Sequence, residues 1–224
     1  MKKTVLITGA NRGLGEAFVK VLIKDEDCTI ISLSRRLSVE QMEYASGNFH
    51  FIEADLAKAH LIEKLEVLKD LIGEEPVYIV NNASIIEPVV GIADLDEAAM
   101  DKTIAVNVKS TMVIVTFFLG NFNKNNLSFV NISSGAANRA ISNWSLYCSS
   151  KAFIQMFFKV AESENKQHQF FNIDPGVMDT GMQESLRASD FPDVENFKDL
   201  KKDGQLKTPI DVARDILKTI GIHQ

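Results

Sequence analysis

The 224-residue chain has only two cysteines, Cys28 and Cys148. They are far apart and fit no disulfide framework, metal motif or redox motif, so two reduced thiols in a cytoplasmic protein are expected. Histidine is equally sparse. His50, His60, His168 and His223 share no ligand spacing such as H-x-x-x-H, and no metal site is expected. There are five prolines, no repeat and no low-complexity tract, while 46% of residues are hydrophobic and 24% charged. Collagen-like, disordered and disulfide-scaffold classes are therefore excluded. Positive charge is not in excess: 24 Lys and Arg face 30 Asp and Glu, a net charge of −6. That balance disfavours nucleic acid and anionic membranes as partners. Long apolar runs are also missing. The run after Lys2-Lys3 stops at Thr8-Gly9, too early for a signal peptide. The most apolar stretch, 112–119, is too short to cross a bilayer.

What is present suffices for a sizeable core, since a chain of this mass buries roughly 70% of its extended surface on folding. Apolar β-branched runs at 3–8, 28–34, 49–52, 77–80, 127–132 and 170–173 read as six strands. Between them, apolar residues at helical spacing predict helices over 15–24, 58–72, 96–120 (with a break before Asn107), 147–164 and 208–220. A weaker helix is expected at 38–45. Thr208-Pro209 opens the last helix as N-cap and first-turn proline. Alternation from end to end predicts one doubly wound α/β domain over 1–224, with a mostly parallel sheet of six to seven strands and helices on both faces. The polar stretch 181–207 reads as a loop, either plainly solvated or a lid over a site.

Thr8-Gly9-Ala10-Asn11-Arg12-Gly13-Leu14-Gly15 joins the first strand to the first helix. Glycines there let the backbone turn sharply, and the helix start offers unpaired N–H groups to a pyrophosphate. The G-x-x-x-G-x-G spacing differs from the common G-x-G-x-x-G fingerprint, and an ordinary tight turn is the plain alternative. The second strand ends in Ser34-Arg35-Arg36, where an acid would bind a ribose 2′-hydroxyl. With Arg12 nearby, the arginines suit a 2′-phosphate, which predicts NADP(H).

Tyr147 and Lys151 lie four apart at a predicted helix start, on one face. An ammonium beside a phenol favours the phenolate, so Lys151 is expected to lower the pKa of Tyr147. Ser133-Ser134-Gly135 follows the fifth strand, at the sheet end where open α/β folds place their ligands. It is not a G-x-S-x-G elbow, which disfavours a serine hydrolase.

Together these residues resemble the short-chain dehydrogenase/reductase family over nearly the whole chain. The motifs that carry the likeness are Thr8-Gly9-x-x-x-Gly13-x-Gly15, Asn81-Asn82-Ala83, Ser134 thirteen residues before Tyr147, and Tyr147-x-x-x-Lys151. Asn107 and Pro175-Gly176 with Thr180 also match in order. Trp144-Ser-Leu-Tyr147-Cys148 and Pro175-Gly176-Val177-Met178-Asp179-Thr180-Gly-Met182-Gln183 resemble the sepiapterin reductase branch, including its bacterial benzil-reductase-like members. Ser84 departs from the glycine usual after Asn-Asn-Ala, and Asn11 stands where serine is common. Against the family's pattern the final strand is expected to be missing or vestigial, and with it the acidic tail that anchors a pterin in sepiapterin reductases, so the resemblance implies an aromatic or vicinal diketone.

The resemblance implies a role for each residue. The pyrophosphate of NADPH would lie on Gly9, Asn11, Arg12, Gly13, Leu14 and Gly15. Ser34, Arg35 and Arg36 would meet the 2′-phosphate, Asp55 and Leu56 the adenine, and Asn82, Ala83 and Ser84 the adjoining ribose. Pro175, Gly176, Val177 and Thr180 would hold the nicotinamide side. Ser134 would bind the substrate carbonyl, Tyr147 protonate it, Lys151 support Tyr147 and hold the ribose, and Asn107 order a water that links Lys151 to solvent. Trp144, Met178 and Met182 are candidate substrate-wall residues, with core packing the alternative for the methionines. Helix residues such as Ile104, Met112, Phe117, Phe153, Met156 and Phe157 carry more apolar surface than one sheet covers, which predicts a homodimer. Two other readings remain: a non-catalytic dinucleotide-binding redox sensor, and an NAD-dependent alcohol dehydrogenase.

Overall fold

The computed structural model describes residues 1–44 and 47–222. Its six strands are β1 (Lys3–Thr8), β2 (Cys28–Ser34), β3 (Phe49–Glu53), β4 (Val77–Asn81), β5 (Leu127–Ile132) and β6 (Gln169–Ile173). They form one wholly parallel sheet in the order β3-β2-β1-β4-β5-β6. Parallel strands covered on both faces need near-continuous apolar sequence, as in Val5-Leu6-Ile7 and Ile30-Ile31, all without exposed surface. No seventh strand follows among the described residues, so β6 is an edge, and its Gln169 and Asn172 are exposed.

The pleat sends alternate residues to opposite faces. Val5 and Ile7 join α1 (Gly13–Leu22) and the C-terminal helix in one core; Leu6, Ile31 and Ile79 join the helices of the other face in a second. The segment expected as one helix over 58–72 is two short ones, α2 (Leu61–Leu65) and α3 (Leu68–Leu71). The weak helix at 38–45 is a 3₁₀ turn over Glu40–Glu43; position 45, like His223, lies outside the described residues. The helix over 96–120 runs as α4 (Glu97–Thr103), a π-helical stretch Ile104–Lys109 and α5 (Ser110–Asn121). The break expected before Asn107 is thus a wide turn containing Asn107 itself. By length and composition the run Glu97–Asn121 is long and apolar enough to cross a bilayer, with an 18-residue window of mean hydropathy 1.6, but half of that window is buried against the rest of the protein. On the same face lies α6 (Ser145–Glu164).

The stretch 181–207 is not a loop. It folds as α7 (Gly181–Ala188) and α8 (Val194–Lys202), ahead of α9 (Pro209–Thr219). Beneath its charge, Met182, Leu186, Phe191, Val194 and Phe197 recur at three- to five-residue steps and pack on Trp144. That apolar stripe is the reason the segment is helical.

A row of amides crosses the sheet just below its carboxyl end. Asn81 Nδ2 donates to Asn131 Oδ1 at 3.2 Å, Asn131 Nδ2 donates to Asn172 Oδ1 at 2.8 Å, and Thr111 Oγ1 donates to Asn81 Oδ1 at 2.8 Å. The three asparagines are register partners on β4, β5 and β6. Asn131 is completely buried. Asn131→Ala should cost about 2 kcal/mol, because the buried amide of Asn81 loses its acceptor; chemical denaturation measures it, and an unchanged midpoint would contradict the account.

Candidate active site

The strand order reverses between β1 and β4, and a cavity of about 380 Å³ opens there along the carboxyl ends of the strands. The Gly-rich segment forms one wall. Gly9 and Gly13 have φ of +64° and +56°, a region that favours glycine. Gly15 is needed for another reason: a Cβ there would stand 2.3 Å from Gly9 O and 2.6 Å from Asn82 Nδ2. Thr8 Oγ1 accepts from the N–H groups of Asn82 (3.0 Å) and Ala83 (2.9 Å), and Asn82 Nδ2 donates to Thr8 O at 2.9 Å. The Asn82 Nδ2 is thus committed to the loop, while Asn82 also lines the cavity. No side chain caps the start of α1, so its N–H groups remain available to an anion.

Gln41, which the sequence reading missed, is buried behind this wall. Its Nε2 donates to Ala10 O at 2.7 Å, and its Oε1 accepts from Ser38 N at 3.1 Å. It ties the phosphate-type loop to the segment after β2. Of the arginines there, Arg35 lines the cavity with Arg12, Ser34, Asp55 and Leu56, whereas Arg36 does not. The Arg36 carbonyl accepts from Ser34 Oγ at 3.0 Å.

Ser134, Tyr147 and Lys151 line the other end together. Burial pushes the Tyr147 phenol up to about 12, with the Ser134 hydroxyl opposing and the Asp174 carboxylate assisting. The net shift is thus upward, opposite to the lowering expected from Lys151. Lys151 Nζ instead donates to Ile132 O at 2.8 Å and stands 5.6 Å from the Tyr147 ring centroid, and burial lowers its own pKa to about 8. Desolvation outweighs the pairing for both groups.

Asn107 is not on the cavity wall. Its side chain holds Ile85 at both backbone groups, at 2.9 and 2.8 Å, and donates to Ser150 Oγ at 3.1 Å. It positions the strand-to-helix connection from inside the π-helical turn. Asn11, Gly13, Leu14, Ala83, Ser84, Pro175, Gly176, Val177 and Thr180 all line the cavity, and so do Trp144, Met178 and Met182. Asp174, Ile86 and Phe197 line it as well and had no sequence signal beyond their nearness to motifs; Gln183, which ends the Pro175–Gln183 motif, also lines it. Among the described residues no group of three or more His, Cys, Asp or Glu is placed to hold a metal ion.

The cleft fits a nicotinamide dinucleotide. A glycine-formed turn precedes an uncapped helix start, and Ser84 Oγ is buried beside it without a partner. Comparison with known proteins agrees. The short chain dehydrogenase family model matches residues 3–190. Benzil reductase ((S)-benzoin forming) of Bacillus cereus is 30% identical, with 95% of this chain and 91% of that protein covered. Sepiapterin reductase of Bos taurus is 28% identical over 90% of this chain and 83% of its own. The crystal structure of the KRED1-Pglu enzyme superposes with a TM-score of 0.87 at 30% identity, covering 95% of this chain and 92% of that one. The chain belongs to the short chain dehydrogenase family, on its benzil and sepiapterin reductase-like branch.

Proposed function

We propose that the protein is an NADPH-dependent carbonyl reductase acting on an aromatic or vicinal diketone. The observation that carries this reading is the convergence of Ser134, Tyr147 and Lys151 on the same cleft as the glycine turn. Reduced nicotinamide, when bound, supplies the hydride. The Ser134 hydroxyl donates to the substrate carbonyl oxygen. The Tyr147 hydroxyl, protonated throughout the neutral range at a pKa of about 12, is the proton donor to that oxygen. Lys151 holds positive charge beside Tyr147 and favours the phenolate left behind. Gly9, Asn11, Gly13 and Leu14 would hold the pyrophosphate, Asp55 and Leu56 the adenine, and Pro175, Gly176, Val177 and Thr180 the nicotinamide end.

NADP(H) is favoured because Arg12 and Arg35 line the cleft while the second strand ends without an acid. The test follows NADPH absorbance against a panel of diketones, then compares NADPH and NADH affinities before and after Arg35→Ala. Tighter NADH binding by the unaltered protein would overturn the NADP(H) reading.

A pH prediction follows from Lys151. Proton donation needs its positive charge, so kcat for ketone reduction should hold through neutral pH and fall above about 8. The Asp174 carboxylate raises the Lys151 pKa, so Asp174→Asn should move that falling limb to lower pH. A limb that stays in place would show that the carboxylate does not act on Lys151.

The homodimer reading rests on one apolar face. Ile114, Phe118, Ile154 and Phe158 turn into the core, while Ile104, Phe153, Met156 and Val160 stay 47–59% exposed on neighbouring helices. A patch shared by α6 and the α4–α5 run is suited to a second copy about a two-fold axis. Sedimentation velocity at micromolar concentration should give twice the mass of 24.9 kDa, and a monomer would refute it. Cys28 and Cys148 are unbridged, in keeping with a cytoplasmic enzyme.

A further inference from the structure

Two polar side chains in the substrate half of the cleft are buried without a partner. Trp144 is 5% exposed, and its Nε1 has no acceptor. Gln183 is 9% exposed, and its Oε1 has no donor. Both residues line the cavity, on two elements that meet there: Trp144 precedes α6, and Gln183 lies in the first turn of α7. The indole meets the Tyr147 ring edge-on at 5.9 Å between centroids, with Phe191 at 5.7 Å and Phe197 at 5.5 Å. A buried donor and a buried acceptor in an aromatic wall are costly unless something satisfies them. The indole lies in contact with the very ring that carries the reacting hydroxyl.

The geometry points to a polar subsite, formed by Trp144 Nε1–H and the Gln183 amide, that recognises a second oxygen function next to the carbonyl being reduced. This rests on the carbonyl-reductase reading above and adds what selects the substrate. Ser134 and Tyr147 hold the reacting oxygen. The indole N–H donates to the oxygen on the adjacent carbon, and the Gln183 carbonyl accepts from that oxygen when it is a hydroxyl. A vicinal diketone satisfies the indole N–H, and an α-hydroxyketone satisfies both groups. A ketone with a methylene at that position leaves both groups unpaired, and sites with buried polar groups reject such analogues. Because Gln183 stands on α7, seating the ligand also fixes the helical cover over the cleft.

The test compares benzil with deoxybenzoin, which has the same two rings and a methylene in place of the second carbonyl. Trp144→Phe keeps the aromatic contact and removes the N–H; Gln183→Met keeps the length and removes the amide. Trp144→Phe should lower kcat/KM for benzil roughly tenfold, and Gln183→Met should do so for benzoin, the matching α-hydroxyketone, each leaving deoxybenzoin within about twofold. Equal losses on both ketones, or none, would overturn the subsite. Trp144 is the chain's single tryptophan, so quenching of its emission reads binding without turnover. The native protein should bind benzil more tightly than deoxybenzoin, and Gln183→Met should weaken benzoin while leaving benzil and deoxybenzoin within about twofold. Equal native affinities would overturn the subsite whatever the turnover. Preferential benzil binding with no NADPH oxidation would instead uphold the subsite and reject the reductase reading.

Discussion

Replacing Tyr147 by Phe should lower kcat for ketone reduction by about 10³-fold or more while leaving NADPH affinity within about twofold. The side chain is 6% exposed, and its ring packs on Trp144, Ile86 and Leu186, contacts that phenylalanine keeps. Only the hydroxyl is lost, and with it the proton donor. Stopped-flow absorbance of NADPH with benzil, together with cofactor fluorescence titration, separates the two effects. A variant retaining a tenth of the native rate would show that water or Ser134 delivers the proton, and the assignment of Tyr147 would fail. The alternative of a non-catalytic redox sensor makes the opposite forecast: no turnover in either protein.

Gly15→Ala should weaken cofactor binding by about 100-fold, although Gly15 is not on the cavity wall. The added methyl would sit 2.3 Å from Gly9 O and 2.9 Å from Gly9 C. These are backbone atoms of a turn already held by Asn82 and Thr8, so no flexible side chain can yield. Either α1 withdraws or the Gly9 turn opens, and both spoil the anion site. Overpacking of this kind costs about 1–3 kcal/mol of stability. Calorimetric titration with NADPH at a temperature where the variant stays folded checks it. Native affinity in Gly15→Ala would mean that the loop is far softer than its hydrogen bonds indicate.

Much of this was legible in the residues because the buried sheet imposes a simple pattern. Strands flanked on both faces must be apolar throughout, so 3–8, 28–34 and 127–132 could be read to the residue. Motif spacing placed Gly13, Ser134, Tyr147 and Lys151 around one cleft. What the residues hid depends on three-dimensional balance. The polarity of 181–207 masked a stripe of five apolar side chains that only gains meaning once Trp144 is there to receive it. Tyr147 and Lys151 at i and i+4 suggested a coupled pair, but burial is the largest influence on both, raising the phenol and lowering the ammonium. Asn107 matched a motif, yet its amide is spent on Ile85 and Ser150. Gln41 belongs to no motif and lies behind the cleft, while Gln183 closes a motif that gave it no role and stands in the cover of the cleft.

The amide row across β4, β5 and β6 sits one to three residues before each strand's contribution to the cleft: Asn81 before Asn82-Ala83, Asn131 before Ser134, Asn172 before Pro175. It therefore works as a levelling bar. Three segments distant in the chain emerge at a common height because their carboxamides interlock, and a shift of any one strand by a single residue would break the row. Substitutions that drift the surrounding helices can accumulate without tilting the platform on which the reaction is staged.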